Sequence, residues 1–324
     1  MTRNIAAAAA AMTMLAGSLQ HAHALPVAKR VMTEKSKFVE ISIAYPQTGM
    51  KAIDDDIRAI VTKRAHDFEK SAQDTIDHGG IDKDEGRYTE DTDYTVARND
   101  KQVFSVTWQS LEDFHGAHPS HEYFTANYLL PDGWRVLLPE IVDGPRGLIR
   151  IAALARADLK KQLLAGKEPT SDADWIAKGT GPAAPNFDAF TLLPNRLRIQ
   201  FQSYQVDCYA CGDPTVDIPL AALAGAVRAD WRAPAASFPC AHAAAPIERT
   251  ICSDPRLARL DRQVAEEYFT RIDQIKDGAL GIKAGTVKDE QKRWLARRNT
   301  CGGRVPCLLA LYGARLEALE NMTL

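Results

Sequence analysis

From residue 39 the chain alternates apolar and polar side chains: Val39, Ile41, Ile43 and Tyr45 interleave with Glu40, Ser42 and Ala44. A period of two predicts a half-buried strand, stopped by Pro46. Ile53, Ile57, Ile60, Val61, Ala65, Phe68 and Ala72 then recur at helical spacing, which predicts a helix over about 54–76 with one apolar face. Strand patterns return at Tyr94 to Ala97, Val103 to Trp108, Tyr123 to Leu130 and Trp134 to Leu138. Asn99-Asp100 and Asp132-Gly133 punctuate them, and Asp-Gly between alternating runs is a hairpin signal. A helix over about 145–165, a strand from Leu197 to Val206 and a short helix near 219–228 follow. Together these predict an α+β domain, an antiparallel sheet with packed helices.

Beyond about residue 220 the pattern changes. An Ala/Pro-rich stretch from Arg232 to Pro239 reads as a linker, placed at 232–237 between an α+β domain at 25–231 and a second domain at 238–324. The second domain reads as all-helical. Ser253-Asp254 can cap a helix with Pro255 at its first position, and Leu257, Leu260, Val264, Tyr268 and Ile275 mark one face of it. Val287, Trp294 and Leu295 mark a second helix; Leu308, Leu309, Tyr312, Leu316 and Leu319, after Pro306, mark a third. So short a segment makes a small core, which disulfides would reinforce.

All six cysteines lie from Cys208 onward. Cys240, Cys252, Cys301 and Cys307 fall at helix ends or loops, at one pole if the first two helices run antiparallel. Three connectivities are open, with the sequential pairs 240–252 and 301–307 preferred. A four-cysteine zinc site is the rival, but these four lack paired C-x-x-C knuckles. Cys208-Tyr-Ala-Cys211 is a C-x-x-C, yet Gly212-Asp-Pro214 follows at once. That makes a loop and not the helix start of a thioredoxin-like enzyme, so a structural disulfide closing a tight turn is expected.

The N-terminus supplies the compartment. Arg3, the apolar run Ile5 to Leu15 and the small-x-small site Ala22-His23-Ala24 read as a secretory signal over 1–24, cleaved near Ala24. The apolar run is too short to span a bilayer, and a periplasmic or secreted location is expected. Composition agrees with a folded chain: 324 residues, 45% hydrophobic and 25% charged. That composition excludes a polytopic membrane protein, and the near cancellation of 40 basic and 42 acidic residues gives nucleic-acid binding no support. That neutrality hides a net charge near −6 over 25–237 and near +3 over 238–324.

Candidate chemistry is sparse. His115-Gly-Ala-His118-Pro-Ser-His121 clusters three imidazoles, but Gly116 and Pro119 break any helix that would align them, so a polar loop is expected. The acids of Asp54 to Asp56 and Asp82 to Glu85 read as solvated faces. No G-x-S-x-G, Walker, Rossmann or H-E-x-x-H pattern occurs in the expected mature chain. This favours a binding protein over an enzyme, with no cofactor.

Two resemblances follow. Phe238-Pro-Cys240, Ile247-Glu-Arg-Thr-Ile-Cys252, Leu257 to Asp261, Tyr268, Gln291 to Cys301 with Trp294 inside it, Cys307-Leu308 and Tyr312-Gly-Ala-Arg315 resemble the LprI-type lysozyme inhibitor domain over 238–321. Leu257, Leu260, Val264 and Trp294 are expected core. Glu248, Asp261, Gln291, Arg298 and Arg315, with Tyr312 of the same motif set, are expected as structural residues that tie helices together. Over about 36–222, Val39 to Pro46, Ser105 to Trp108, Gly116-Ala-His118-Pro119, Asn127-Tyr128, Asp132-Gly133, Leu137 to Ile141 and Gln202-Ser-Tyr204-Gln205-Val206 are similar to the extracellular part of RsiV anti-sigma factors. The same module precedes the catalytic domain of PdaC-type peptidoglycan deacetylases. The chain departs from both, with neither a sigma-binding segment nor a deacetylase domain, and with Cys208 and Cys211 beside the Tyr-Gln-Val motif.

These resemblances imply recognition of lysozyme, or of the wall polymer it cuts. The leading expectation is an exported protein that binds, and inhibits, lysozyme or a related muramidase, an acidic first domain attracting a basic enzyme. Loop residues His118, Asp82, Asp84 and Glu85 are the candidates to cover its cleft. The alternative is an envelope module that binds peptidoglycan without inhibiting, with Tyr123, Tyr128, Trp134, Tyr204 and Tyr209 as candidates to stack on sugars.

Overall fold

A computed structural model describes residues 24–78, 86–165, 171–228, 231, 236–276 and 283–322. The expected leader up to residue 23, the acids at 82–85 and positions 232–235 of the expected linker lie outside the described residues. An α+β part precedes a helical part, as expected. Strands β1 (Ala28–Lys35) and β2 (Val39–Gln47) form a hairpin, and helix α1 (Lys51–Asp77) follows. Strands β3 (Tyr88–Asn99), β4 (Val103–Asp113), β5 (Ser120–Leu129) and the two-residue β6 (Trp134–Arg135) complete a six-stranded sheet in sequential order.

One pair departs from the all-antiparallel expectation: β2 and β3 are parallel, Val39 opposite Tyr88. The reason is the connection. A helix of 27 residues carries the chain back along the sheet, so the next strand enters in the same direction. Strand β1 was not foreseen, because its side chains are almost all exposed and carry no apolar alternation.

Alternation fills the space beneath α1. Phe104, Val106 and Trp108 of β4, with Ala126 and Tyr128 of β5, bury against Ile53 and Ile57; Ile41, Ile43 and Tyr88 bury against Val61, Ala65 and Phe68. Each large side chain removed from water contributes about 1.5–3 kcal/mol. Trp108 satisfies its indole N–H on the Ala44 carbonyl at 3.1 Å. Arg64 of α1 reaches down to the buried Glu90 at 2.7 Å and also meets Glu112 and Glu122. Burial alone would lower the Arg64 pKa; the carboxylates around it raise it instead.

The chain then forms a one-turn helix α2 (Leu138–Ile141), α3 (Gly144–Leu163) and α4 (Ala173–Gly179). A second, three-stranded sheet of β7 (Phe190–Leu193), β8 (Arg196–Gln200) and β9 (Thr215–Pro219) packs with α3 around Ile151, Leu159, Leu197 and Ile199. The strand expected to run to Val206 ends at Gln200, and the helix expected near 219–228 is a single tight turn over Leu220–Leu223.

The helical part contains α5 (Pro246–Ser253), α6 (Pro255–Lys276), α7 (Ala284–Thr300) and α8 (Val305–Glu320). The short α5 was not foreseen; the other three match their apolar spacing. Asp254 caps α6 through Arg256 N at 3.0 Å. Disulfides join Cys208 to Cys211, Cys240 to Cys252 and Cys301 to Cys307. The preferred sequential pairs are therefore the observed ones. A bridge across a short loop stabilises by about 2–4 kcal/mol, largely through the unfolded chain.

The motif residues of this part face inward or onto their own helix ends. Tyr312 donates to Asp261 at 2.6 Å and accepts from Arg298 at 3.1 Å, tying α6, α7 and α8. Burial first, then Asp261, holds the Tyr312 phenol far above its ordinary pKa, so it remains a donor. Asp261 also accepts from Ser237 N and Oγ. Trp294 donates to the Leu311 carbonyl, and Arg315 to Gln291 at 3.0 Å. Glu248 accepts from Ala244 N and Ala245 N, capping its own helix α5.

The two parts meet along α6. Arg259, 5% exposed, pairs with Glu140 at 3.3 Å, donates to the Arg135 carbonyl at 3.1 Å and lies over the Trp134 ring. Arg228 pairs with Glu266 at 2.8 Å. Burial, only partly offset by Arg228, raises Glu266 to about 7; burial and then Glu267 raise Asp188 to about 6. Raised folded-state values mean that these acids stabilise fully below their unfolded values and lose that contribution as pH climbs through about 6 to 7. Asp93, Asp217 and Asp254 are lowered by their cationic partners and work oppositely, losing stability below about pH 4. The stability these groups contribute should therefore be greatest near pH 4–5 and decline towards pH 8 by on the order of 2 kcal/mol, with melting midpoints falling accordingly. Glu266→Gln should flatten the alkaline decline, as a pH series of melting curves would show.

Candidate functional site

The face of β3–β5 turned away from α1 is divided. One half is covered by β7: Asn127 donates to the Phe190 carbonyl and accepts from Leu192 N, both at 2.8 Å, while Thr107 meets Thr191 at 3.0 Å. The other half is open. Asp91, Asp93, Thr95, Gln109, His121 and Tyr123 line a depression of about 470 Å3, and the polar members of each strand's alternation supply it. Lys29 at 2.9 Å and the Tyr94 amide hold Asp93 below the usual carboxylate range, so it stays ionised with its charge partly offset by Lys29.

The loop from Phe201 to Asp213 borders the depression. Gln202 takes the place of a neighbouring strand: its amide accepts from Tyr123 N at 2.8 Å and donates to Tyr123 O at 2.7 Å. Gln205 accepts from Gln202 N and donates to the carbonyls of Gly179 and Asn186. Between these braces Tyr204 takes a φ of 62° and is 53% exposed, its carbonyl held by the Trp175 indole at 3.0 Å. A bulky residue in the left-handed region costs of order 1–3 kcal/mol and persists only where its surroundings impose it.

The Cys208–Cys211 clasp closes the turn that carries Tyr209. The Tyr209 ring stacks on His118 at 3.8 Å between centroids and lies 5.9 Å from Tyr204 and 5.5 Å from His121. His118 Nδ1 is 3.0 Å from the Pro119 carbonyl, which requires a proton there, and Nε2 then accepts from the Tyr204 hydroxyl at 3.1 Å. Tyr123 donates to Asp213 at 2.6 Å; burial and that carboxylate raise its phenol well above the ordinary value and keep it protonated. The result is an exposed aromatic shelf beside an acid-lined depression. Beyond Trp175 a second open cleft of about 620 Å3 holds Asp172, Asp174 and Lys178.

Four of the residues singled out from sequence, His118, Tyr123, Tyr204 and Tyr209, come together here. Tyr128 is buried with its hydroxyl on Asp56, and Trp134 lies under Arg259 at the seam. Asp82, Asp84 and Glu85 fall outside the described residues. His115 turns away from His118 and packs on Tyr88. Among the described residues Asp207, Cys208 and Cys211 are grouped closely enough to suggest metal ligation, but the two sulfurs are joined as the disulfide and are not thiolate ligands. Sequence reasoning missed Trp175, Asp213 and the acids Asp91 and Asp93. The signal for the last two was the polar half of strand β3, which alternates as regularly as its buried half.

Residues 141–221, which carry Trp175, Tyr204, Tyr209 and Asp213, match the family model described as "Protein of unknown function (DUF3298)". Over 188 residues the chain is 22% identical to the peptidoglycan-N-acetylmuramic acid deacetylase PdaC of Bacillus subtilis (strain 168). That stretch is 58% of this chain and 38% of PdaC, so the chain spans well under half of this curated relative. Among solved structures it is similar to a DUF3298 family protein of Pseudomonas aeruginosa PAO1, with a TM-score of 0.48, 15% identity and coverage of 65% of this chain and 97% of that one. It is also similar to a DUF3298 member from Bacteroides fragilis NCTC 9343, with a TM-score of 0.43, 18% identity and coverage of 64% and 95%. The chain thus carries a DUF3298 match and is similar to part of a peptidoglycan deacetylase.

Proposed function

We propose that this is an exported, wall-related envelope protein that binds a basic wall-lytic glycosidase of the lysozyme type and blocks it. In this reading it is a binding protein and not an enzyme. The observation that carries the reading is the shelf of His118, Tyr204 and Tyr209 set beside Asp91, Asp93 and Asp213. An exposed tyrosine, Tyr204, backed by the half-buried Tyr209 on a rigid support, makes a binding hot spot, and surrounding acids steer a cationic partner and would repel an anionic polymer. The three disulfides support an oxidising compartment. The DUF3298 match, the peptidoglycan substrate in PdaC's name and the LprI-type resemblance of the helical part support a role at the wall.

A second reading, direct binding of peptidoglycan, is favoured by the exposed face of Tyr204, on which a sugar ring can stack. Paired pull-downs separate the two, one with immobilised hen lysozyme and one with insoluble peptidoglycan. Capture by lysozyme that weakens as salt rises, and weakens about tenfold or more in Tyr204→Ala, is expected. The Asp91→Asn, Asp93→Asn double variant should lose the salt dependence first. Retention on peptidoglycan alone would replace the first reading with the second.

A further inference from the structure

Away from the shelf, the seam between the two parts carries a further open cleft of about 500 Å3. That volume is in the range of small-molecule sites, which favour such junctions. Its apolar wall is Trp134 and Leu137 from the α+β part and Leu260 and Leu316 from α6 and α8. Three guanidinium groups line it, and they are not equivalent. Arg256 is paired with Asp254 at 2.6 Å, and Arg259 with Glu140 at 3.3 Å. Arg135 has no carboxylate within ion-pair distance among the described residues, although its backbone is fixed in β6 and accepts from Arg259. The cleft therefore holds one cation with no ion-pair partner, Arg135, whose charge is felt by Asp188 and Tyr128 at longer range, beside an apolar wall. Asp56 also lines it, with its carboxylate on the Tyr128 hydroxyl at 2.7 Å, and this fixed negative charge discriminates against a doubly charged ligand.

We propose that this cleft binds an amphiphilic monocarboxylate, its carboxylate on the Arg135 fork and its apolar body against Trp134, Leu260 and Leu316. A planar carboxylate matches a guanidinium with two parallel hydrogen bonds, whereas a phosphate dianion would meet the repulsion of Asp56. Because the walls come from both parts, the occupant bridges the seam, and binding raises the stability of the docked arrangement by mass action.

Octanoate is the probe, titrated into the full chain by calorimetry and by thermal shift, with octanol and octyl phosphate in parallel. Saturable one-to-one binding of octanoate is expected, with octanol and octyl phosphate each about tenfold weaker or more. Arg135→Gln should weaken octanoate about tenfold while bringing it level with octanol. Ala52→Trp, at an exposed position on the rim, should obstruct the mouth without touching the core. Absence of saturable octanoate binding, equal affinity for octanol or octyl phosphate, or octanoate binding unchanged in both variants would overturn the assignment.

Discussion

Replacing Gly179 by alanine should cost about 3 kcal/mol or more and dismantle the aromatic shelf at the same time. Gly179 ends α4, directly against the turn that carries Tyr204. An added Cβ would stand 2.0 Å from the Gln205 carbonyl oxygen and 2.8 Å from both Gln205 C and Val206 Cγ1. Two of these three atoms are backbone, so no rotamer change relieves the clash. The turn must move, and with it go the Gln205 bonds to Gly179 and Asn186 and the Ser171 bond to Val206. A loss of that size lowers the melting midpoint by about 6–12 °C for a domain of this size. Lysozyme capture should fall even at temperatures where circular dichroism shows the chain folded. Gly285→Ala, where an added Cβ meets nothing within 4 Å, is the matched control and should leave both measurements unchanged.

Arg259→Ala should be as damaging, by a different route. Glu140 is buried and already pushed above its ordinary pKa by desolvation, with Arg259 the largest opposing influence. Arg259 is in turn lowered by burial, against the pull of Glu140. Removing one partner strands the other, a loss of about 3–5 kcal/mol, far above that of a surface pair. The alanine also removes the cation from the face of Trp134 and the donor from the Arg135 carbonyl. The double variant Arg259→Met, Glu140→Gln keeps volume without a charge and should recover most of the loss. Chemical denaturation of the wild type, Arg259→Met, Glu140→Gln and their double variant closes a double-mutant cycle and measures the coupling. A cycle energy near zero would mean that the Arg259–Glu140 pair adds nothing to the seam beyond its other contacts.

Sequence disclosed the fold wherever an element carries its own apolar stripe. Of the seven apolar positions read for α1, Ile53, Ile57, Val61, Ala65, Phe68 and Ala72 form its buried face, and Ile60 is half-buried. Leu257 and Val264 on α6, and Val287 and Trp294 on α7, are buried as their spacing implied. It failed where order is borrowed from elsewhere in the chain. β1 is exposed and owes its place to backbone pairing with β2. The segment after Gln200 looked like a continuing strand because Gln202 and Tyr204 alternate with smaller residues. In the fold, side-chain amides replace the ladder there. The shelf was legible only in pieces. Its loop motif and C-x-x-C turn could be read locally, but His118 and Tyr204 meet across 86 residues, and Tyr123 and Asp213 across 90. No spacing rule encodes such a distance.

The three disulfides carry a further consequence, for how the chain matures. They join residues 3, 12 and 6 positions apart, and each cysteine is bonded to its immediate neighbour in the series of six. A chain that emerges N-terminus first always presents a cysteine's correct partner as the next thiol to arrive. Oxidation can then proceed pair by pair, without a long-lived wrong bridge to undo. The covalent pattern is one that an oxidant alone can write, with little demand on a disulfide isomerase.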